Sequence, residues 1–342
     1  MTGSVPRAAP WLITGASGFL GRHLLEAIER EGVPNPPIAL LRDPEAWGAD
    51  DWTRALPRVR LLQGSVTEPD AWSSDPLLDG LGGISHLAAL VLHSRREAER
   101  VLRTNVSGTL NLVRLAARHR ARLVFVSSSG TVGCFRRPGE KADEAAPYCE
   151  QEVRGWPYYR SKIAAEREAR SLAGELGVEL VIVRPPVLLG PGDHRFRSTN
   201  YVRRYLRGRV PFLIRGGMHF ADVRDVADAL LRAMQLPSVR PVYHLPGTIC
   251  SLHEFYGRVA ELAGGRPPRL TLPFRAAWLL SAAGEKLGSS FLPERGVVEM
   301  AAHHWGTRSL YAHELGYHSR PGDQTLRDTI DWLRGTAQEA TR

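Results

Sequence analysis

Tyr158 and Lys162 stand four residues apart in the run Tyr158-Tyr159-Arg160-Ser161-Lys162. That spacing puts both on one face of a helix, where an ammonium beside a phenol favours the phenolate and lowers its pKa toward neutrality. A phenol tuned in this way can exchange a proton with an oxygen on a reacting carbon. The pairing is informative because the only lysines in the chain are Lys141, Lys162 and Lys286. Tyr159 is out of register with Lys162 and reads as a packing residue. Further hydroxyls come from Ser127-Ser128-Ser129. A second chemical signal lies near the start, where Gly15, Gly18 and Gly21 recur at three-residue spacing. Glycines there let the backbone turn sharply and let an anion approach the amides. The helix N-terminus behind them suits a pyrophosphate; the plainer reading is a strand-to-helix turn that only needs small residues.

The elements that must position these groups follow from the apolar pattern. Trp11–Thr14 is an apolar run entering the glycine turn, and Leu20, Leu24 and Ile28 share one face of the helix leaving it. Pro34 and Pro36-Pro37 reset the chain before a second strand, 38–41, which ends at Arg42-Asp43-Pro44. In a dinucleotide-binding unit the residue past strand two, about 20 residues beyond the glycines, meets the adenosine ribose. An acid there suits the 2′-hydroxyl of NAD and an arginine the 2′-phosphate of NADP. Arg42 favours NADP, and Asp43 keeps NAD as the alternative. A third strand, 59–63, exits at Gly64-Ser65-Val66, with a helix expected from Glu68. A fourth, 84–89, ends in small residues that leave room for a flat ring; His86 within it reads as hydrogen-bonded structure. A helical stretch over 97–119 leads to a fifth strand, 122–126. Its exit serines fall at the carboxyl edge of the sheet, where open α/β folds bind ligands.

With 342 residues the chain can bury a large core. The net charge of +9 comes from scattered arginines with no long basic run, so nucleic-acid binding is not expected. Cys134, Cys149 and Cys250 show neither disulfide nor zinc spacing, and no metal site is expected. The run His303-His304-Trp305 is a candidate substrate contact; its two histidines project to different sides, a poor metal geometry, and the run reads as structural or substrate-lining. Neither a secretory leader nor a membrane-spanning run stands out, and the expected location is cytoplasmic. The stretch 274–283 is an amphipathic helix expected to pack on its own lobe; lining an apolar pocket or resting on a membrane surface is the alternative.

Together these residues resemble the extended short-chain dehydrogenase/reductase family over nearly the whole chain. Its opening motif is present as Thr14, Gly15, Gly18 and Gly21. Its strand-four motif stands as His86-Leu87-Ala88-Ala89, its helix asparagine as Asn105 and its catalytic helix as Tyr158-x-x-Ser161-Lys162. Arg184–Asp193, Phe220–Ala227 and Tyr243–Gly247 match later segments. The resemblance implies an α/β fold, a Rossmann-type doubly wound parallel sheet over 8–189 that also receives 220–247. A smaller substrate lobe would form from 190–219 and 248–342. Catalysis would rest on Ser129, Tyr158 and Lys162, with Ser128 the better hydroxyl by analogy with some reductases. Gly15, Ser17, Gly18, Phe19, Leu20 and Gly21 would hold the pyrophosphate. Arg42, Ser65 and Val66 would meet the adenosine, and Leu87, Ala88, Ala89, Pro185 and Val187 would flank the nicotinamide end together with Tyr158 and Lys162. Ser65 departs from the family's usual Asp, which weakens that adenine contact.

The branches most like this chain are the dihydroflavonol reductases and 3β-hydroxysteroid dehydrogenases. The resemblance thus implies NAD(P)-dependent interconversion of a carbonyl and an alcohol on a bulky, hydrophobic small molecule, in a homodimer. Sugar dehydratases carry an acidic pair where this chain has Gly130-Thr131. Epimerases with tightly bound NAD usually have an acid where Arg42 stands, and are the alternative. A non-catalytic NADP-binding sensor or scaffold would commonly lose the tyrosine or lysine that are both present here.

Overall fold

Runs such as Trp-Leu-Ile-Thr and Ile-Ala-Leu-Leu are apolar along their length, which suits strands covered on both faces. In the computed structural model, which describes residues 9–339 other than 35, 50, 93, 94 and 290, they are buried at every position. These strands are β1 (Trp11–Thr14) and β2 (Ile38–Leu41); β3 (Arg60–Gln63), β4 (Gly83–His86) and β5 (Arg122–Val126) follow. With Leu180–Arg184 and Val242–His244 they form one parallel sheet in the order β3-β2-β1-β4-β5, then 180–184, then 242–244. The order reverses between β1 and β4, and the crevice beyond the carboxyl ends there is where such sheets bind ligands. One face is covered by helix α1 (Phe19–Arg30) and by Val223–Gln235, through Leu24, Leu25, Ile28, Val226 and Leu230. The other is covered by Gly108–His119 and Pro157–Leu176, through Leu112, Val113, Ala169 and Ala173.

A second, three-stranded sheet pairs Gly217–Asp222 with Val187–Leu189 in parallel and with Thr248–Ser251 antiparallel. Its core includes Phe220, Phe255, Leu326, Ile330 and Leu333, the last three from the closing helix Gly322–Glu339. A short ribbon, His304–Trp305 against Cys134–Phe135, ties this lobe to the loop beyond β5.

Two local expectations are corrected. No α-helix follows Glu68: Pro69 and Pro76 start separate 3₁₀ turns, Pro69–Ala71 and Pro76–Leu78. The helical stretch before β5 contains a π-turn over Arg103–Ser107. The fourth strand ends at His86, and 87–89 form its small-residue exit as expected. Residue 8, the start drawn for the nucleotide domain, lies outside the described residues.

Candidate active site

Pro157 opens the helix that carries Tyr158 in its first turn and Lys162 one turn later, an N-terminal position that proline's fixed φ favours. Both line a cleft of about 320 Å³ at the carboxyl edge of β5, together with Ser127, Ser128 and Ser129. Lys162 is buried; its Nζ donates to the Val126 carbonyl at 2.7 Å and lies 4.7 Å from the Phe125 ring centre. Burial lowers its pKa to about 7, against the opposing pull of Glu166. The Tyr158 phenol is pushed up by burial, opposite to the direction expected from the sequence. The physical reason is that desolvation outweighs the lysine, whose ammonium is directed at a carbonyl.

Asn105 locks the catalytic helix to the exit of β4. Its side chain accepts from Leu90 N at 2.7 Å and donates to Leu90 O at 3.1 Å and to Ser161 Oγ at 2.8 Å. Ser161 in turn donates to the Tyr158 carbonyl at 2.7 Å. The π-turn is what carries Asn105 into this position, as such turns often do at functional sites. His86 has a defined tautomer. Thr109 Oγ1 donates to Asn105 O at 2.6 Å, so it accepts from His86 Nε2 at 3.1 Å, and Nδ1 accepts from Thr14 Oγ1 at 2.7 Å. Burial and Lys162 lower the His86 pKa to about 3, so it is neutral and structural.

Beneath the serine loop lies a buried carboxylate. Glu166 pairs with Arg184 at 2.5 Å and accepts from Ser127 Oγ at 2.5 Å and Tyr148 Oη at 3.0 Å. Burial would raise its pKa, but Arg184 and these hydrogen bonds hold it below the usual carboxylate range. The Ser128 hydroxyl accepts from Gly130 N at 3.2 Å and caps the turn Ser129–Thr131, whereas Ser129 is buried on the cleft wall. A Cβ on Gly130 would stand 2.3 Å from Cε1 of Tyr159, whose ring is packed on Trp156 and Trp305.

The glycine turn forms a cradle. Gly15 has φ of +72°, and a Cβ there would lie 2.7 Å from Ala88 N. A Cβ on Gly21 would lie 2.3 Å from the Gly15 carbonyl. Gly18 starts α1 with no side-chain cap and no acid in the first turn, so the amides stay available to an anion. These features fit a dinucleotide. Phe19, Leu20, Leu87, Ala89, Pro185 and Val187 reach the cleft, whereas Ala88 backs Gly15. At the far end Arg42 is exposed, while Asp43 Oδ1 accepts from Ala46 N at 3.0 Å and caps the helix Pro44–Gly48. Ser65 Oγ is hydrogen-bonded to Thr67 Oγ1 at 2.9 Å, and the Val66 carbonyl accepts from Asn111 at 2.9 Å. Ser17 Oγ contacts Arg195 at 3.3 Å.

Apart from Trp305, singled out in the run His303-His304-Trp305, the rest of the cleft escaped sequence reasoning. Tyr201, Met218, Leu252, Val297, Met300 and Trp305 form an apolar wall from the second lobe, with Arg197 and His219 as polar members. His219 Nε2 accepts from Gly247 N at 3.1 Å, so Nδ1 bears the proton; it is buried without a partner among the described residues. Burial lowers its pKa to about 3. His303 instead bonds the Glu299 carbonyl at 2.9 Å and packs on Trp156; neither it nor His304 lines the cleft. The signal available in sequence was only the neighbouring Trp305.

Comparison with known proteins agrees with this fold. The model of the NAD dependent epimerase/dehydratase family matches residues 11–245. A putative dihydroflavonol 4-reductase of Synechocystis is 29% identical over 335 residues, 95% of this chain and 94% of that protein. Cinnamoyl-CoA reductase 1 of Oryza sativa is 30% identical, over 73% of this chain and 75% of that one. The crystal structure of gox2253 superposes with a TM-score of 0.80 at 26% identity, covering 96% of this chain and 99% of that one. MoeE5, solved with UDP-glucose and NAD, shares the fold with a TM-score of 0.68 at 24% identity over 96% and 99%.

Proposed function

Because the chain belongs to the NAD dependent epimerase/dehydratase family, the extended short-chain dehydrogenases/reductases, we propose that it interconverts a ketone or aldehyde and an alcohol on a bulky, largely apolar small molecule. The observation that carries this reading is the polarity of the cleft. Ser129, Tyr158 and Lys162 line the cleft from the nucleotide side, and the lobe side is walled by Tyr201, Met218, Val297, Met300 and Trp305. A single arginine, Arg197, is among the described lining residues, which suits an apolar body better than a nucleotide diphosphate. A carboxylate at position 130 would collide with Tyr159, which weighs against water elimination.

The nicotinamide, when bound, supplies hydride exchange with the substrate carbon. Tyr158 gives its proton to the carbonyl oxygen during reduction, or takes one from the alcohol during oxidation. Burial keeps the phenol protonated in the resting protein, and a positive charge brought beside it would make it the stronger acid that donation needs. Ser129 donates a hydrogen bond to the same oxygen and stabilises alkoxide character. Lys162, whose Nζ donates to the Val126 carbonyl, would hold the ribose hydroxyls of a bound cofactor and bring its charge toward the phenol. Asn105 and Ser161 hold Tyr158 in register. Arg42, with Asp43 turned into its cap, favours NADP over NAD.

The test is a substrate panel. NADPH should be consumed with bulky aryl or polycyclic ketones, with no interconversion of UDP-hexoses. Epimerisation of a UDP-hexose without net cofactor consumption would overturn the reading in favour of the epimerase alternative.

A further inference from the structure

The helix Phe274–Lys286 packs on the second lobe through its small residues. Ala277, Ser281 and Gly284, on one stripe, are buried, and Gly284 sits so close to Leu292 that an added Cβ would lie 2.8 Å away. Apart from Trp278, whose indole packs on the lobe core and donates to Glu299 at 2.9 Å, the large apolar residues point outward. Leu279 is 63% exposed and Leu287, one residue past the helix, 84% exposed. Phe274, Leu280 and Phe291 are also exposed. A helix that buries its small face and leaves leucines in water inverts the usual arrangement of a surface helix, and contiguous apolar patches of this kind mark interaction sites.

The charges name the partner. Arg275, Leu279, Ala283 and Lys286 recur at helical spacing on the outward side, with Leu280 and Leu287 beside them. Between 269 and 291 the bases Arg269, Arg275 and Lys286 are all exposed, and the one acid is Glu285. That acid is engaged by Arg295, whose Nε donates to Glu285 at 2.8 Å and whose backbone N donates at 2.7 Å. Outward leucines among unneutralised bases complement a surface that is apolar inside and negative at its rim.

We propose that this face docks on an anionic lipid bilayer, with Leu279 and Leu287 inserted at the headgroup boundary and Arg275 and Lys286 on the phosphates. The next helix, Arg295–Ala301, packs against it and lines the cleft with Val297, Met300 and Ala301. The docked face is therefore one helix from the site. On the proposed reading of an apolar substrate, that substrate partitions into the same bilayer.

The experiment is co-sedimentation of the full chain with vesicles of phosphatidylcholine containing about one-third phosphatidylserine, and with pure phosphatidylcholine. Binding is expected to the anionic vesicles, weaker in high salt and much weaker to the neutral ones. Leu279→Asp with Leu287→Asp should abolish it. Arg275→Gln and Lys286→Gln should each lower affinity roughly fivefold. Their ketone reduction in solution and their circular dichroism should match the parent. No binding to anionic vesicles, or binding that survives the double aspartate variant, overturns the proposal. So does a parent dimer that dissociates on that substitution, which would make a second copy the occupant. Failure of ketone reduction with vesicle binding intact would sink only the proposed substrate class.

Discussion

The two sides of the cleft are held in place differently. On the nucleotide side, Lys162, Asn105, Ser161 and Glu166 are each fixed by directional bonds of 2.5–3.1 Å, the first three to backbone and Glu166 to the side chains of Arg184, Ser127 and Tyr148. On the lobe side, Val297, Met300, Tyr201 and Met218 keep their places by packing alone. Directional bonds specify one geometry and tolerate little change. Apolar contact accepts volume-conserving exchange at small cost. The difference teaches that the proton-transfer geometry can stay constant while the range of molecules accepted drifts.

Paired substitutions test this contrast most strongly. Tyr158→Phe should lower kcat roughly 10²–10⁴-fold on every substrate while leaving the Kd for NADPH nearly unchanged. Met300→Ala should change kcat/KM for one ketone relative to another and spare kcat on the smallest. Equal, substrate-independent losses in both variants would break the comparison.

Removing one member of the buried ion pair comes next. Glu166→Gln leaves Arg184 buried without its counter-charge and should cost about 3–5 kcal/mol in urea unfolding. The Glu166 pKa is depressed on folding, so its stabilisation is present above the usual carboxylate range and is lost as pH falls through the folded value. The variant should therefore lack part of the parent's acid-induced loss of stability.

Lys162→Met should have the opposite sign. Burial lowers the lysine pKa to about 7 in the folded chain, so the unfolded chain binds the extra proton between about pH 7 and the ordinary lysine value. The penalty is fully present below about 7 and fades as pH rises toward that value. The methionine variant should unfold at higher urea than the parent at pH 6, converge with it near pH 10, and have no turnover. A less stable variant at pH 6 would show that the Val126 hydrogen bond outweighs desolvation.

The smallest effects lie at the cofactor's far end. Arg42→Ala should weaken NADPH about tenfold by loss of a charge-assisted contact and leave NADH nearly unchanged. Asp43→Ala should cost about 1 kcal/mol of stability through the lost cap without altering the NADPH-to-NADH ratio. A shift in that ratio would return Asp43 to the ribose.

Much of the chemical side was legible because it is local. Four-residue spacing joins Tyr158 to Lys162, and three-residue spacing joins Gly15, Gly18 and Gly21, so a period suffices to read them. The strand exit at Ser129 was readable because an apolar run ends abruptly there, whereas the exit at Pro185 was reached only through the family resemblance. The hub at Glu166 was not, since Ser127, Tyr148 and Arg184 meet it across the fold. The apolar wall was least legible, because Met218, Val297 and Met300 are ordinary core types that only tertiary packing turns toward a cleft. The π-turn at Arg103–Ser107 leaves no pattern that separates it from the α-helix around it.

The contact between Gly130 and the Tyr159 ring also orders the mutational routes open to this chain. An acid at 130 is sterically blocked while Tyr159 stays wedged between Trp156 and Trp305. A smaller residue at 159 would have to come first, leaving a gap beside Tyr158 with no immediate gain. The two substitutions are thus epistatic, and a lineage that holds this tyrosine is shielded from drifting, one change at a time, toward elimination chemistry.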